Sequence, residues 1–580
     1  MANSSPEPAG GRVAVYDTTL RDGTQREGVS YTLRDKLRIA RRLDAFGVDF
    51  IEGGWPFSNP KDSEFFKRAK DLDWKHACIT AFGSTRRAQF APEDDPNLRA
   101  LIDTGAPACT IFGKSWTLHV TDVLRISLDE NLKLIEESVA FLRQSGRRVI
   151  YDAEHFFDGY VADPKYALET LQAAIRGGAE VVTLCETNGG RLPWDVAEIV
   201  ETVIRTTAHP VGIHAHDDTG CGVANSLAAV RAGARHVQGT INGFGERCGN
   251  ANLSAIIPNL ELKLGLETTA RPRLAEITEL SLFVSEVANL VPNDHQAYVG
   301  RAAFAHKGGV HVAAMRRHPD SYQHIDPRLV GNEMRVVVSE LSGRGNVLSK
   351  AEELGVSHTF SEQEALDDIK QAEARGISFE SAEASIALLL RRKDVSYRAP
   401  FQLLDYQTMV GKRAGTDTFA EATVKLSVGT EVVHTAADGN GPVAALAAAL
   451  RKGLAPFYPE VQRIHLEDYK VRILDGAAGT EAITRVLIDS GNGFDTWSTV
   501  GASSNIIEAS MHALLDSIEY GLVLANQASR DSVFPPSSLR VEPDEKLNPT
   551  QAAGPAPSAE SAEKTNPSQA VRRPGSLEAS

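Results

Sequence analysis

Cysteine is scarce in this chain, with five among 580 residues. Cys78, Cys109, Cys185, Cys221 and Cys248 are odd in number, widely spaced and free of any CxxC pair. That pattern excludes a disulfide framework and a zinc ribbon, and it reads as five small thiols, buried or half-buried. Also missing is any apolar run long enough to cross a bilayer, so no membrane partner is expected. Residues 1–11 have neither the apolar core of a signal peptide nor an Arg-rich amphipathic pattern, and the expectation is a cytoplasmic protein. Basic residues are outnumbered, 61 against 76. The formal charge of -15 argues against a nucleic-acid partner, while leaving room for a local basic pocket. No GxGxxG sits in a βαβ setting, so nothing supports a dinucleotide. What remains is 42% hydrophobic and 24% charged, an ordinary globular balance. A single core stops growing at roughly 250–300 residues, so this length implies more than one domain.

One stretch organises the chain. Val13-Ala14-Val15-Tyr16 reads as a buried strand, and it ends in Asp17-Thr18-Thr19-Leu20-Arg21-Asp22-Gly23-Thr24-Gln25. Such an ending delivers polar groups to one edge of a sheet. Arg21 is a fixed cation with a planar fork of donors. Asp22 is a hard oxygen donor suited to a divalent metal. Far along the chain, His214-Ala215-His216 closes another apolar run. Residues two apart on a strand share a side, so both imidazoles face one place. One Asp and two His make a metal site with room left for a ligand.

These residues, in this order, resemble the acyl-CoA-dependent 2-oxoacid condensing family, the isopropylmalate, homocitrate and citramalate synthases. The opening motif matches from Asp17 to Gln25, with Thr24 where a Glu is more usual. The resemblance continues through HAHDDTG (His214–Gly220), NGFGERCGN (Asn242–Asn250) and HKGGVH (His306–His311). It spans nearly all of residues 12–525.

The chain in order agrees with it. Residues 12 to about 270 alternate short apolar runs with amphipathic stretches. The strands expected are Val13–Tyr16, Val48–Glu52, His76–Ala81, Ala108–Phe112, Arg148–Tyr151, Val181–Leu184, Val211–His214 and His236–Ile241. Helices are expected at Leu33–Phe46, Leu128–Gln144, Lys165–Gly177, Pro193–Thr207 and Gly222–Ala232. Together they predict a (β/α)8 TIM barrel over 12–270, with its chemistry on the loops after the strands. Residues 271–412 read as helical linker subdomains carrying His306, His311 and Tyr322. Residues 413–528 read as an α+β duplicated domain, in which strands, a Gly-Asn-Gly turn and a helix recur. It resembles the leucine-type regulatory domain of the family. Its two turns, Gly439–Gly441 and Gly491–Gly493, are either Gly-rich helix starts suited to a carboxylate or plain loop turns. Residues 1–11 and 529–580 read as disordered termini, the latter rich in Pro, Ser, Ala and Glu.

The resemblance implies a metal-dependent Claisen condensation. Asp22, His214 and His216 would hold a divalent cation (Mn2+, Mg2+, Zn2+ or Co2+), with Asn250 as a weaker further ligand. Arg21 would bind substrate and stabilise developing negative charge. Thr187 matches a residue that donates to a keto acid's carboxylate. Glu154 matches an active-site Glu, either a general base or a group ordering substrate and water. His311 and Tyr322 match linker residues that are the other candidates for the base. Asp217 and Asp218 read as capping groups or as acceptors behind the histidines. Several stretches look like the branch that joins acetyl-CoA to pyruvate. They include EGGWP (Glu52–Pro56), GKSW (Gly113–Trp116), AEHFFDGY (Ala153–Tyr160) and CETNGG (Cys185–Gly190). That branch leads toward isoleucine, which is then the expected allosteric inhibitor. A homodimer, with one subunit's linker completing the other's site, is also implied. The rival readings are an enzyme of the same fold using 2-oxoisovalerate, and a catalytically inert amino-acid sensor.

Overall fold

The computed structural model of the protein describes residues 11–339, 342–356, 360–412, 417–474 and 476–531. Eight parallel strands close into a barrel: β1 (Ala14–Asp17), β2 (Phe50–Gly54), β3 (Cys78–Ser84), β4 (Ala108–Lys114), β5 (Arg148–Glu154), β6 (Val181–Glu186), β7 (Val211–Ala215) and β8 (His236–Gly239). β1 pairs with both β2 and β8, setting Tyr16 beside Phe50 on one side and Gln238 on the other. The intervening helices bury an apolar stripe against the strands. The helix Leu33–Phe46 shows why it starts and stops where it does. Thr32 and Asp35 form a reciprocal capping box, and Gly47 ends it in the left-handed conformation at φ 103°.

The expected helices recur nearly to the residue, and the strands mostly run one to three residues further toward their C-termini. The reason lies in the barrel mouth. Strand pairing continues through polar residues, as in Lys114 beside Glu154 and Glu186 beside Ala215, where an apolar pattern has already ended. The first strand is a residue late, and β8 ends two residues before the expected Ile241. Inside the barrel lies an unusual amount of buried polarity: Tyr16, Glu52, Thr110, Asp152, Thr183 and Gln238 are all 3% exposed or less.

Beyond the barrel come β9 (Ala305–His306) and β10 (Arg335–Val336), a short parallel pair. The helices Gly309–Arg317, Arg344–Glu353, Glu362–Ala374 and Glu383–Arg392 follow, as the helical linker reading anticipates. Their cluster takes in Val347, Ile369, Phe379, Ile386 and Leu390, together with Val500 from the next domain.

The C-terminal region holds two three-stranded antiparallel sheets. The first is β11 (Gln402–Lys412), β12 (Thr418–Val428) and β13 (Glu431–Gly439), followed by the helix Pro442–Leu454. The second is β14 (His465–Ile473), β15 (Thr484–Gly491) and β16 (Thr496–Ser503), followed by the helix Ile506–Asp531. The duplication is therefore a strand–strand–strand–helix unit used twice. A start at 413 cuts this domain too late, because β11 pairs along β12 and belongs to its sheet. β11 escaped the sequence reading because its half-exposed alternation carries little apolar signal. The two Gly-Asn-Gly turns also differ. Gly439–Gly441 leads into a helix with Pro442 at its first position, whereas Gly491–Gly493 is a hairpin turn between β15 and β16. The expected disordered termini, 1–11 and 529–580, lie almost wholly outside the described residues.

Four thiols fit the buried or half-buried reading, but Cys248 is exposed. It sits between two left-handed residues, Arg247 at φ 55° and Gly249 at φ 104°, in a loop that turns it outward.

The end of β2 shows how tightly the mouth is built. Gly54 has φ 138°, and a Cβ there would collide with the Asp62 carboxylate. Asp62 in turn accepts from the Trp55 amide at 2.9 Å and pairs with the buried Lys36. Gly54→Ala is expected to destabilise the fold by about 1–3 kcal/mol, from backbone strain and the displaced carboxylate. Chemical denaturation checks this, and an unchanged midpoint would contradict it.

Candidate active site

The chain leaves β1 through a clamp made from its own side chains. Asp17 accepts from the Thr19 amide and hydroxyl, both at 2.9 Å. The Thr18 carbonyl takes the amides of Arg21 at 3.1 Å and Gly23 at 3.0 Å. A short 3₁₀ turn, Asp22–Gln25, follows. This clamp aims Arg21 and Asp22 into the barrel mouth.

Arg21 is held on three sides. Its Nε donates to Glu52 Oε2 at 2.5 Å, its Nη1 lies 3.4 Å from Asp22 Oδ2, and its guanidinium stacks 3.7 Å from the centre of the Phe82 ring. Glu52 is fully buried in the middle of β2 and also accepts from Tyr16 Oη at 2.6 Å and Thr18 Oγ1 at 2.5 Å. Sequence reasoning quoted Glu52 only as part of a matching stretch. A lone acid inside a buried strand was the signal available.

Asp22, His214 and His216 converge. Their ligand atoms all lie within 4.8 Å of one another, and all three side chains are buried. His214 Nε2 is 3.4 Å from Asp22 Oδ2 and 3.4 Å from His216 Nε2. Asn250 lies beside His216 through an isolated β-bridge. Its amide donates to the Phe244 carbonyl at 3.1 Å, while its Oδ1 is buried without a partner. Asp22 Oδ1 is likewise buried without a partner. Asp22 and the two imidazoles thus face one another, and the Oδ1 atoms of Asp22 and of Asn250, the bridge partner of His216, carry no proton donor. A buried acceptor left unmade costs about 1–3 kcal/mol, so such a set fits a divalent cation.

The electrostatics point the same way. Burial alone would raise the Asp22 carboxyl, but Arg21 and His214 outweigh it and hold it well below the usual range. Burial would lower His214, yet the hydrogen bond and charge of Asp22 raise it. Burial and the charge of His214 push His216 down to about 4, so its ring stays neutral and able to ligate.

The histidines are not backed by the two aspartates that follow them. Asp217 accepts from the Gly222 amide at 2.7 Å, capping a helix. Asp218 pairs with Arg247 at 2.8 Å, and Arg247 also donates to the Thr187 carbonyl at 2.7 Å. The partner of His214 Nδ1 is Gln238 Oε1, at 2.9 Å. Gln238 lies in β8, where nothing in the apolar pattern sets it apart.

Glu154 is the last residue of β5, and Thr187 directly follows the neighbouring β6. Glu154 pairs with Lys114 from β4. Thr187 Oγ1 accepts from the His155 amide at 2.9 Å, which leaves its own proton to donate. The linker candidates lie apart. His311 stacks on Tyr322, with ring centres 4.1 Å apart, and Tyr322 is 45% exposed. Among the described residues, no hydrogen bond, ion pair or ring contact joins either one to Arg21, Glu154 or the three ligands. The structure therefore gathers Arg21, Asp22, His214, His216 and Asn250 within one chain, but not His311 and Tyr322.

Barrel, helical linker and duplicated domain correspond to three family matches. The HMGL-like family covers residues 12–284, a homocitrate synthase post-HMGL domain-like match covers 298–376, and the LeuA allosteric (dimerisation) domain covers 380–522. This is an enzyme of the HMGL-like class with a regulatory-type domain attached. The chain is 52% identical over 514 residues to an (R)-citramalate synthase of Geobacter sulfurreducens, covering 88% of this chain and 97% of that protein. It is 51% identical to the (R)-citramalate synthase of Aquifex aeolicus, covering 88% and 98%. A 2-isopropylmalate synthase of Methanocaldococcus jannaschii is 29% identical, covering 87% and 94%. The chain belongs to the (R)-citramalate synthase family.

Arg21→Lys keeps the charge but loses the fork that reaches Glu52 and Asp22 together. Turnover is expected to fall by about 10²–10³-fold with the fold intact, as for removal of a preorganised donor to developing charge. Steady-state rates set beside a melting curve test this, and near-normal turnover would contradict the role given to the fork.

Proposed function

We propose that the protein condenses acetyl-CoA with pyruvate and water, giving (R)-citramalate and free CoA. The observation that carries this reading is identity above 50% along almost the full length of (R)-citramalate synthases, at a mouth whose polar groups are intact. Asp22, His214, His216 and Asn250 would hold the cation. Bound there, a divalent ion supplies Lewis-acid polarisation of the keto group and a fixed anchor for the adjoining carboxylate.

The chain's own residues do the rest. The Thr187 hydroxyl donates to the pyruvate carboxylate. Arg21, rigid against Glu52 and Phe82, donates to the keto oxygen as negative charge grows there. Glu154, already gripped by Lys114, orders the thioester and the water near it. A base then removes a proton from the acetyl methyl, the methyl carbon bonds to the keto carbon as the C=O π pair moves to oxygen, that oxygen takes a proton to become the hydroxyl, and water cleaves the thioester to carboxylate and thiol. We assign that base to His311 of the partner subunit, beside the partner's Tyr322, in a homodimer. The exposure of Tyr322 and the lack of described contacts between this pair and the same chain's mouth support the assignment.

Regulation is read from the duplicated domain. A cavity of about 400 Å³ lies between its two halves, lined by Val443, Ala447, Arg451, Tyr469, Leu514 and Ile518. Its apolar walls suit a branched aliphatic side chain, and Arg451 suits a carboxylate. Isoleucine, the end product, is the proposed inhibitor. Among the described residues, no helix is long and apolar enough to cross a membrane, which agrees with work in the cytoplasm.

Three outcomes are expected. In a free-thiol assay with acetyl-CoA and a panel of keto acids, pyruvate should release CoA fastest; faster release with 2-oxoisovalerate would favour isopropylmalate synthesis instead. Ala447→Phe should abolish isoleucine inhibition while keeping uninhibited turnover, and inhibition that survives would move the effector elsewhere. Asp22→Ala and His311→Ala should each be inactive alone, but their doubly tagged heterodimer should regain activity at its one intact site. A silent heterodimer would argue against a shared site.

A further inference from the structure

The buried polar groups beneath the mouth form a chain that ends on a ligand. Gln238 Nε2 donates to Asp152 Oδ1 at 2.9 Å and approaches Thr183 Oγ1 at 3.3 Å. Gln238 Oε1 faces His214 Nδ1 at 2.9 Å. Asp152 and Gln238 are 3% and 0% exposed, and Thr183 is fully buried, so water does not compete for these bonds. Burial raises the Asp152 carboxyl to about 6, still below neutral pH, so at pH 7 it is mainly ionised, and an ionised carboxylate only accepts hydrogen bonds. The NH2 end of the Gln238 amide must therefore face Asp152, and its oxygen must face His214. An amide oxygen also only accepts, so the proton of His214 has to sit on Nδ1. The bare nitrogen of the neutral ring is then Nε2, the atom that points at Asp22 and His216.

We propose that Asp152 and Gln238 are positioning residues that fix the tautomer of His214, so that its Nε2 lone pair is presented to the metal. Neither touches the ion. Their polarity runs one way, from carboxylate to amide to imidazole, and that direction matters more than the volume they fill. His216 has no such support, because its Nδ1 is buried without a partner. The two ligating histidines are thus unequal, and His214 is the preorganised one. The inference rests on the metal site proposed above.

Reversing the chain's direction tests it. Asp152→Asn is nearly isosteric, but its NH2 can donate to Gln238 and turn that amide over. Gln238 would then donate to Nδ1, moving the ring proton to Nε2, where it blocks the ion. Mn2+ affinity of the full-length, chelator-treated protein, measured by calorimetry, is expected to fall roughly 10–100-fold, the range for partners behind a ligand. The swap Asp152→Asn with Gln238→Glu restores an acceptor facing Nδ1 and a donor behind it, so it should recover most of the affinity. A merely structural role would not respond to the swap. Should Asp152→Asn fail to fold by thermal melting, Gln238→Met fills the same space without an acceptor and should show the same loss. Unchanged Mn2+ binding in the single variants, or a folded double variant as weak as Asp152→Asn, would overturn the assignment. A folded Asp22→Ala variant that still binds Mn2+ tightly would instead remove the site itself, which separates the two failures.

Discussion

Everything in the barrel mouth answers to one constraint: several electron-rich atoms are buried together with too few protons between them. Asp22 carries a full charge out of water, with Arg21 and His214 on its flanks. His214 and His216 turn ring nitrogens toward the same space. Asn250 adds an amide oxygen with no donor. Desolvating such a set costs several kcal/mol per unpaired charge, and a folded protein of ordinary stability can bear only a few such terms. A cation shared by all of them would remove the penalty at one stroke. Its remaining coordination positions would then take the oxygens of a substrate.

The surrounding fold is arranged to keep that deficit open. The parallel barrel sends the ends of all eight strands to one face, which lets β1, β7 and the loop after β8 supply the ligands although they are nearly 200 residues apart in sequence. Beneath the face, Glu52 holds Arg21 away from full neutralisation of Asp22. Gln238 occupies the far nitrogen of His214. Both are fully buried, so they act in a low-dielectric interior where a hydrogen bond fixes geometry as well as energy. Farther out, the helix Glu383–Arg392 packs on β16, and Arg392 ties it to Asp516 at 2.7 Å and Glu519 at 2.6 Å. That helix lies within the LeuA allosteric (dimerisation) match, and the helices before it reach the duplicated domain through Val347 and Ile369, which share a buried cluster with Val500.

The catalytic half was largely legible from sequence because its chemistry sits in short runs. Asp22 follows a strand directly, and His214 and His216 share a strand face by their spacing alone. Amphipathic helices such as Leu128–Gln144 and Pro193–Thr207 are written in their 3.6-residue period and came out at the observed bounds. What stayed hidden depends on pairs distant in the chain. Glu52 meets Arg21 across 31 residues, and Gln238 meets Asp152 across 86. A buried Gln in a strand looks like any other interruption until the sheet closes and shows what it faces. β11 was missed for a related reason, since a strand exposed along one face carries little apolar signal and is defined by its partner. Cys248 was misread because a left-handed turn, not its hydrophobicity, decides where it points. The linker pair His311 and Tyr322 was named by resemblance alone, and within one chain its two rings stack apart from the mouth.

The central claim is that these atoms are gathered around an ion. Titration of chelator-treated protein with Mn2+, followed by calorimetry and by metal content after gel filtration, tests it most directly. The account predicts saturation at one ion per chain, with that ion lost when His214 or Asp22 is replaced by alanine. A protein that turns over at full rate while holding no divalent metal, or whose ion survives both replacements, would contradict it.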